Sequence, residues 1–274
     1  MISMISGLIA VLLYAVSASM QRQVLTAAEP AAGHRESNNA SLILALAGGA
    51  LLAHLVNATV VIRTSGGYDF GFFRVASMFS WVTALIVVVA SYRKPLANLF
   101  IALFPLAILS ILCSTFLPSH FDPLTDLTSG VALHIVVGIL AFSVLTIAAV
   151  QALVVGWLSR ELKHHHFSAT LRHLPPLQTM EALLFDIIKA GFIGLLAVIV
   201  TGFLFMDDMF AQHLVHKTVL TIVSWVVFGI LLWGRYQRGW RGKLALRWML
   251  AGFAVLILAY FGSKFVLEIL LDRV

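Results

Sequence analysis

Eight long apolar segments constrain this chain more than any other feature. They cover about 2–20, 40–62, 70–92, 96–115, 129–158, 183–206, 215–234 and 246–270. A hydrocarbon core of roughly 30 Å is crossed by about 20 apolar residues in a helix. In lipid every backbone N–H and C=O must also find its partner inside the protein. The expected fold is therefore all-α, a polytopic bundle of eight transmembrane helices forming one domain over residues 1–274. Only 11% of the residues are charged and 61% are hydrophobic, against roughly 25% charged in a soluble domain, so no soluble domain is expected. The fifth segment is longer than a bilayer needs, which implies tilt or projection. The first, Met1 to Met20, has no basic start and no small-residue cleavage pattern, and it reads as a retained span rather than a signal peptide.

The distribution of charge orients the bundle. The first, third, fifth and seventh loops hold Arg22, Arg35, Arg93, Lys94, Arg160, Lys163, Arg172, Arg235, Arg238, Arg241, Lys243 and Arg247, whereas the second, fourth and sixth hold Arg63 alone. The positive-inside rule then places both termini on the outer side. Asp122, Asp126, Asp207 and Asp208 fall in the outer loops. The net charge of +6 is thus an orientation signal and not a nucleic-acid surface. Cys113 is the single cysteine, which excludes an intramolecular disulfide and any CxxC motif and reads as a packed small residue. No GxSxG, HExxH, P-loop or GxGxxG pattern stands in a supporting context, and no loop is large enough for a soluble active site. Enzymatic activity is not expected.

The polar groups inside the apolar segments carry the functional signal. His54, His134 and His216 lie on three different spans, all toward the outer side. His54 is eight residues from the outer end of its span, roughly 12 Å deep. An ionisable group in lipid usually faces a bundle interior, a cavity or a ligand, and imidazole binds metals, haem iron included. Each histidine alone is accounted for by a neutral ring hydrogen-bonded between helices, His216 at the interface most readily, and their shared depth is what points to a common site. Asn57 shares the His54 face at i+3 and is a candidate to fix its tautomer; His213 shares the His216 face. His164, His165 and His166 form a triplet with metal-binding potential in a loop that reads as solvated. Arg74 is expected to snorkel to headgroups. Asp186 with Lys189 and Lys264 with Glu268 are spaced as helical ion pairs. Trp225, Trp233, Trp240 and Trp248 fit an interfacial belt.

Spans five to eight also carry a family likeness. The segments LHIVVGILAFS (133–143), VHKTVLTIVSWVVFGILLWGRYQRGWRGKLAL (215–246) and LAYFGSK (258–264) resemble the CcsA/HemX cytochrome c assembly group and, within it, the YpjD-type inner membrane proteins of proteobacteria. The resemblance covers the whole length, and the run from His216 through GWRGK is its most specific part. It implies a multi-pass protein of the bacterial inner membrane that handles haem, with His134 matching the outer histidine that opens a helix. His54 resembles the histidine within the membrane, and the stretch Lys217 to Trp225 resembles the helix after the family's tryptophan-rich WWD segment. Haem is the implied cofactor, His134 and His54 its implied iron ligands, His216 a substitute, and Lys264 the implied partner of a propionate. Three departures stand out. The stretch DDMFAQHLV (207–215) has no tryptophan, Trp233 stands where a second membrane histidine is expected, and no histidine follows the last span. They imply a role reduced relative to the haem exporters of the group.

Two other classes of function compete. One is a regulatory or accessory subunit without a cofactor, acting in haem biosynthesis or beside an ion transporter and packing on another membrane protein through small residues such as Gly191 and Gly194. The other is a transporter, which the scarcity of buried carboxylates and of any charge ring disfavours. The expected partners are the lipid bilayer, haem and another membrane protein, with no nucleic acid.

Overall fold

The computed structural model describes residues 1–27, 33–119, 123–125, 128–164, 171, 173–205, 215–262 and 265, with 33–37 described by backbone alone. The chain forms α1 (Ile2–Thr26), α2 (Gly33–Ile62), a short hairpin of β1 (Arg63–Thr64) and β2 (Gly67–Tyr68), and α3 (Phe72–Ser91). A 3₁₀ turn (Ala97–Leu99) then leads into α4 (Phe100–Phe116), followed by α5 (Ser129–Lys163), α6 (Leu177–Phe205) and α7 (Val215–Arg238). The last helix, α8 (Gly242–Ile257), continues as a π-helical turn, Leu258–Gly262. Eight of these helical segments are long and apolar enough to cross a membrane, in agreement with the sequence reading. At 35 residues, α5 is roughly 52 Å long, well beyond the hydrocarbon thickness. Thr128 caps it, its hydroxyl accepting from the Val131 N–H at 3.4 Å, as N-cap threonines do.

The helices pack in two groups of four. In the first, α1 lies on α2 and α4, and α3 lies on α4 and α2. Its core contains Tyr14, Phe100, Phe104, Leu99 and Ile111, all fully buried. In the second, α5 lies on α6 and α8, and α7 lies on α6 and α8. Its core contains Leu145, Ile188, Leu195, Phe228, Leu231 and Met249. The groups meet chiefly where α3 packs on α5. Outward faces carry exposed Leu12, Leu52, Val89, Leu109, Leu153, Ile193 and Val200, as lipid contact requires.

Close approach of α5 and α6 depends on small residues. A Cβ on Gly191 would overlap the Leu145 side chain, and one on Gly194 would lie 3.1 Å from Ala141 Cβ. These two glycines, read from sequence as a surface for another protein, are used inside the bundle instead. Lipid tails are as apolar as leucine, so tight backbone approach is what holds membrane helices together.

The hairpin closes one end of the bundle. Arg63 pairs with Tyr68 and Thr64 with Gly67, and Tyr68 exchanges backbone hydrogen bonds of 3.0 and 2.9 Å with Leu124. Buried Asp69 accepts from the Gly71 N–H at 2.8 Å and the Ser119 hydroxyl at 2.9 Å through Oδ1, and it ion-pairs with Arg74 through Oδ2. Arg74 therefore does not snorkel outward as expected. A carboxylate five residues earlier neutralises it where both are largely shielded, and a buried pair is retained only with such additional hydrogen bonds. Lys189 and Asp186 do form their helical pair, at 2.7 Å; Lys264 and Glu268 lie outside the described residues. The opposite end of the bundle, the basic end, carries the loops rich in Arg and Lys.

Candidate functional site

His54 lies where the first four helices meet. It is fully buried, with Nδ1 3.4 Å from Tyr14 Oη on α1 and Nε2 3.0 Å from Ser77 Oγ on α3. The Tyr14 ring meets the imidazole edge-on at 5.9 Å and packs at 4.8 Å on Phe104 of α4. Each hydroxyl can donate or accept, so the neutral ring is satisfied in either tautomer. Asn57 does not touch it. The Asn57 amide donates to the Ser3 carbonyl at 2.8 Å and to Thr115 Oγ1 at 3.0 Å, tying α2 to α1 and α4. Helical spacing put Asn57 beside His54; contacts from other helices decided the partners.

His134 is held differently. It is half-exposed, one turn into α5 from the hairpin end. Its Nδ1 lies 3.1 Å from Thr201 Oγ1 on α6, and the Val198 backbone lies beside the ring. The Thr201 hydroxyl also lies 2.8 and 3.1 Å from the carbonyls of Ala197 and Val198, either of which can take its one hydrogen. With that hydrogen on a carbonyl, Thr201 Oγ1 accepts from Nδ1–H and the lone pair of the neutral ring falls on Nε2. Among the described residues Nε2 has no hydrogen-bond partner. A histidine anchored through one nitrogen with the other unprotonated is the usual form of a metal ligand.

The surroundings of His134 are aromatic. Gly130, His134 and Gly138 lie on one face of α5 at successive four-residue steps. The Phe205 ring fills the space over Gly130, and Tyr260 Oη sits 3.1 Å from where a Gly138 Cβ would be. Tyr260 comes from the π-helical turn, a local widening that often marks a functional segment. Its ring packs on Phe142 at 5.2 Å and Phe79 at 5.6 Å, and Phe261 joins both at 5.5 and 5.6 Å. The spacing of Gly130 and Gly138 around His134 was legible in the sequence; Thr201, Val198 and Tyr260 carry no signal that points to His134.

The remaining sequence candidates are dispersed. His216 is exposed in the first turn of α7. Lys264, His213, His165 and His166 lie outside the described residues. Among the described residues no cluster of three or more His, Cys, Asp or Glu side chains could hold a metal ion by itself, and no hydrogen bond joins His54, His134 and His216. Trp225 is stacked on Phe192 at 4.9 Å, and its indole nitrogen is buried without a hydrogen-bond partner. Trp233 is exposed, with the Arg238 guanidinium 4.8 Å above its ring. Trp240 and Trp248 pack on each other at 5.5 Å.

Residues 37–271 match the family described as Cytochrome C assembly protein. The chain belongs to this family. That span takes in His54, His134 and His216 together. Among its relatives in the curated proteins is the inner membrane protein YpjD of Escherichia coli, 30% identical over 223 residues that cover 81% of this chain and 84% of that protein. A 28.8 kDa protein of the nifR3-like 5′ region of Azospirillum brasilense is 36% identical over 141 residues, 51% of this chain and 52% of that protein. No solved structure matches the chain. Membership agrees with the resemblance carried by spans five to eight. The His134 site fits a haem iron through Nε2, whereas His54 would fit one only by releasing Tyr14 or Ser77.

Proposed function

We propose that this cytochrome c assembly family member holds haem at the hairpin end of its second helix group, with His134 Nε2 as the iron ligand. The observation that carries the reading is the one-sided hydrogen bonding of His134, which engages Nδ1 with Thr201 and leaves Nε2 without a partner among the described residues. Bound haem supplies an iron centre, and the protein supplies ligand, enclosure and orientation. Thr201 and Val198 orient the imidazole. Tyr260 and the phenylalanines around it offer the flat apolar walls a macrocycle needs. Lys264 is proposed to meet a propionate, and His216 to be the alternative ligand near the rim. His54 is proposed to hold the first four helices in register, entering as a second ligand only on leaving Ser77 or Tyr14. The basic loops support a placement with both termini and the His134 site on the outer face of a bacterial inner membrane, and YpjD of Escherichia coli is named an inner membrane protein. The lack of a tryptophan-rich stretch at 207–215 supports haem holding in place of full export, with no catalysed reaction of its own.

The test is the absorption spectrum of detergent-purified protein expressed with a haem supply. The wild type is expected to show a Soret band that His134→Ala removes while the protein stays folded. A wild type without the band, or a band unchanged in His134→Ala, overturns the reading.

A further inference from the structure

At the basic end, far along α5 from His134, a cleft of about 20 Å³ opens between the end of α5 and the start of α8. Its lining includes Gly156, Ser159, Arg160, Lys163, Lys243 and Leu246. The chain turns into α8 through Gly242, whose φ of +56° is a conformation glycine adopts freely. Leu246 lies against Gly156, where a Cβ would come within 2.7 Å of it. These two features bring the last turns of α5 against the first turn of α8 and set three cations around one opening.

Among the described residues those cations have no ion-pair partner. Two carboxylates lie near: Glu161 follows Arg160 on α5, and Glu181 accepts from the Gly242 N–H at 3.3 Å and pairs with Arg241 at 3.4 Å. Three like charges at one cleft repel one another, and an anion between them turns that repulsion into attraction. The level is that of headgroups, because α5 overruns the hydrocarbon core and its last turns project past it. Buried Val155 and the Leu246 side chain form an apolar wall beside the cations, as an acyl chain below a phosphate requires.

We propose that this cleft binds the phosphate of an anionic phospholipid headgroup, through Arg160, Lys163 and Lys243. Basic recesses between membrane helices are suited to such headgroups, at about 1 kcal/mol per cation, or roughly fivefold in affinity. The site is separate from the haem reading and stands or falls without it.

The experiment uses the full chain, delipidated in a neutral detergent and offered phosphatidylglycerol, phosphatidylcholine or inorganic phosphate, with retained lipid read by native mass spectrometry and stability by thermal melting. The wild type is expected to retain phosphatidylglycerol and to melt higher with it, and to respond to neither of the others. The triple variant Arg160→Gln, Lys163→Gln, Lys243→Gln is expected to retain it about 100-fold less well. A second variant, Arg93→Gln with Lys94→Gln, removes exposed cations from the same end of the bundle and is expected to retain lipid like the wild type. Equal losses in both variants would reduce the effect to general surface charge and overturn the proposal. So would undiminished retention in the triple variant, or an equal response to inorganic phosphate.

Discussion

In the first four helices His54 is enclosed on both nitrogens, by Tyr14 of α1 and Ser77 of α3. In the last four, His134 is anchored on one nitrogen by Thr201 and keeps the other available. Both rings sit in apolar spans of similar composition, so the number of partners separates their roles. A ring with two partners joins helices, and its removal leaves orphaned hydroxyls. A ring with one partner has binding capacity left, and its removal costs the fold little. The first group also spends other polar side chains on cross-links: Asn57 ties three helices, Ser80 and Ser110 share a 2.5 Å hydrogen bond across α3 and α4, and Asp69 neutralises Arg74. The second group relies more on close approach, with Gly191 of α6 under Leu145 of α5.

Breaking the contrast should give graded results. Asp69→Ala leaves Arg74 shielded without its counter-charge and is expected to cost about 3–5 kcal/mol, read by thermal melting in detergent; a loss under about 1 kcal/mol would mean that solvent, not Asp69, satisfies Arg74. His54→Ala opens a cavity and strands two hydroxyls, at about 2–4 kcal/mol. His134→Ala should cost under about 1 kcal/mol, the scale of one hydrogen bond between membrane helices. Melting curves that put the two histidine variants level would erase the distinction between the halves. Gly191→Ala presses a methyl group into Leu145 and is expected to cost about 1–3 kcal/mol; were it neutral, the α5–α6 contact would have slack that tight packing does not allow. Thr201→Val should be the mildest, about 0.6 kcal/mol in stability, while releasing His134 Nδ1 and so changing the ring's orientation.

How far the sequence revealed this follows from which forces act locally. The bilayer imposes segment length on any chain, so all eight spans were legible, and α6 differs mainly in starting at Leu177 rather than at 183. The added turn places Glu181 where it reaches Gly242, a contact 61 residues away that hydropathy does not encode. Periodicity relates residues on one helix and is silent about the next. It therefore offered Asn57 to His54 where Tyr14 and Ser77 are the partners, and it left Arg74 to the headgroups although Asp69 pairs with it across a turn. His134 stands out in the sequence as a polar residue near one end of a span, but its anchoring by Thr201 depends on how α5 meets α6.

Under the proposed function His134 is the iron ligand and His54 a structural link. Ligand replacement tests it most directly. Protein carrying His134→Gly is purified without haem, supplied with haem, and its Soret region recorded before and after adding imidazole. The account predicts little bound haem without imidazole and recovery of the band with it, because free imidazole can occupy the place the side chain left. Full haem binding by His134→Gly without imidazole would contradict the account.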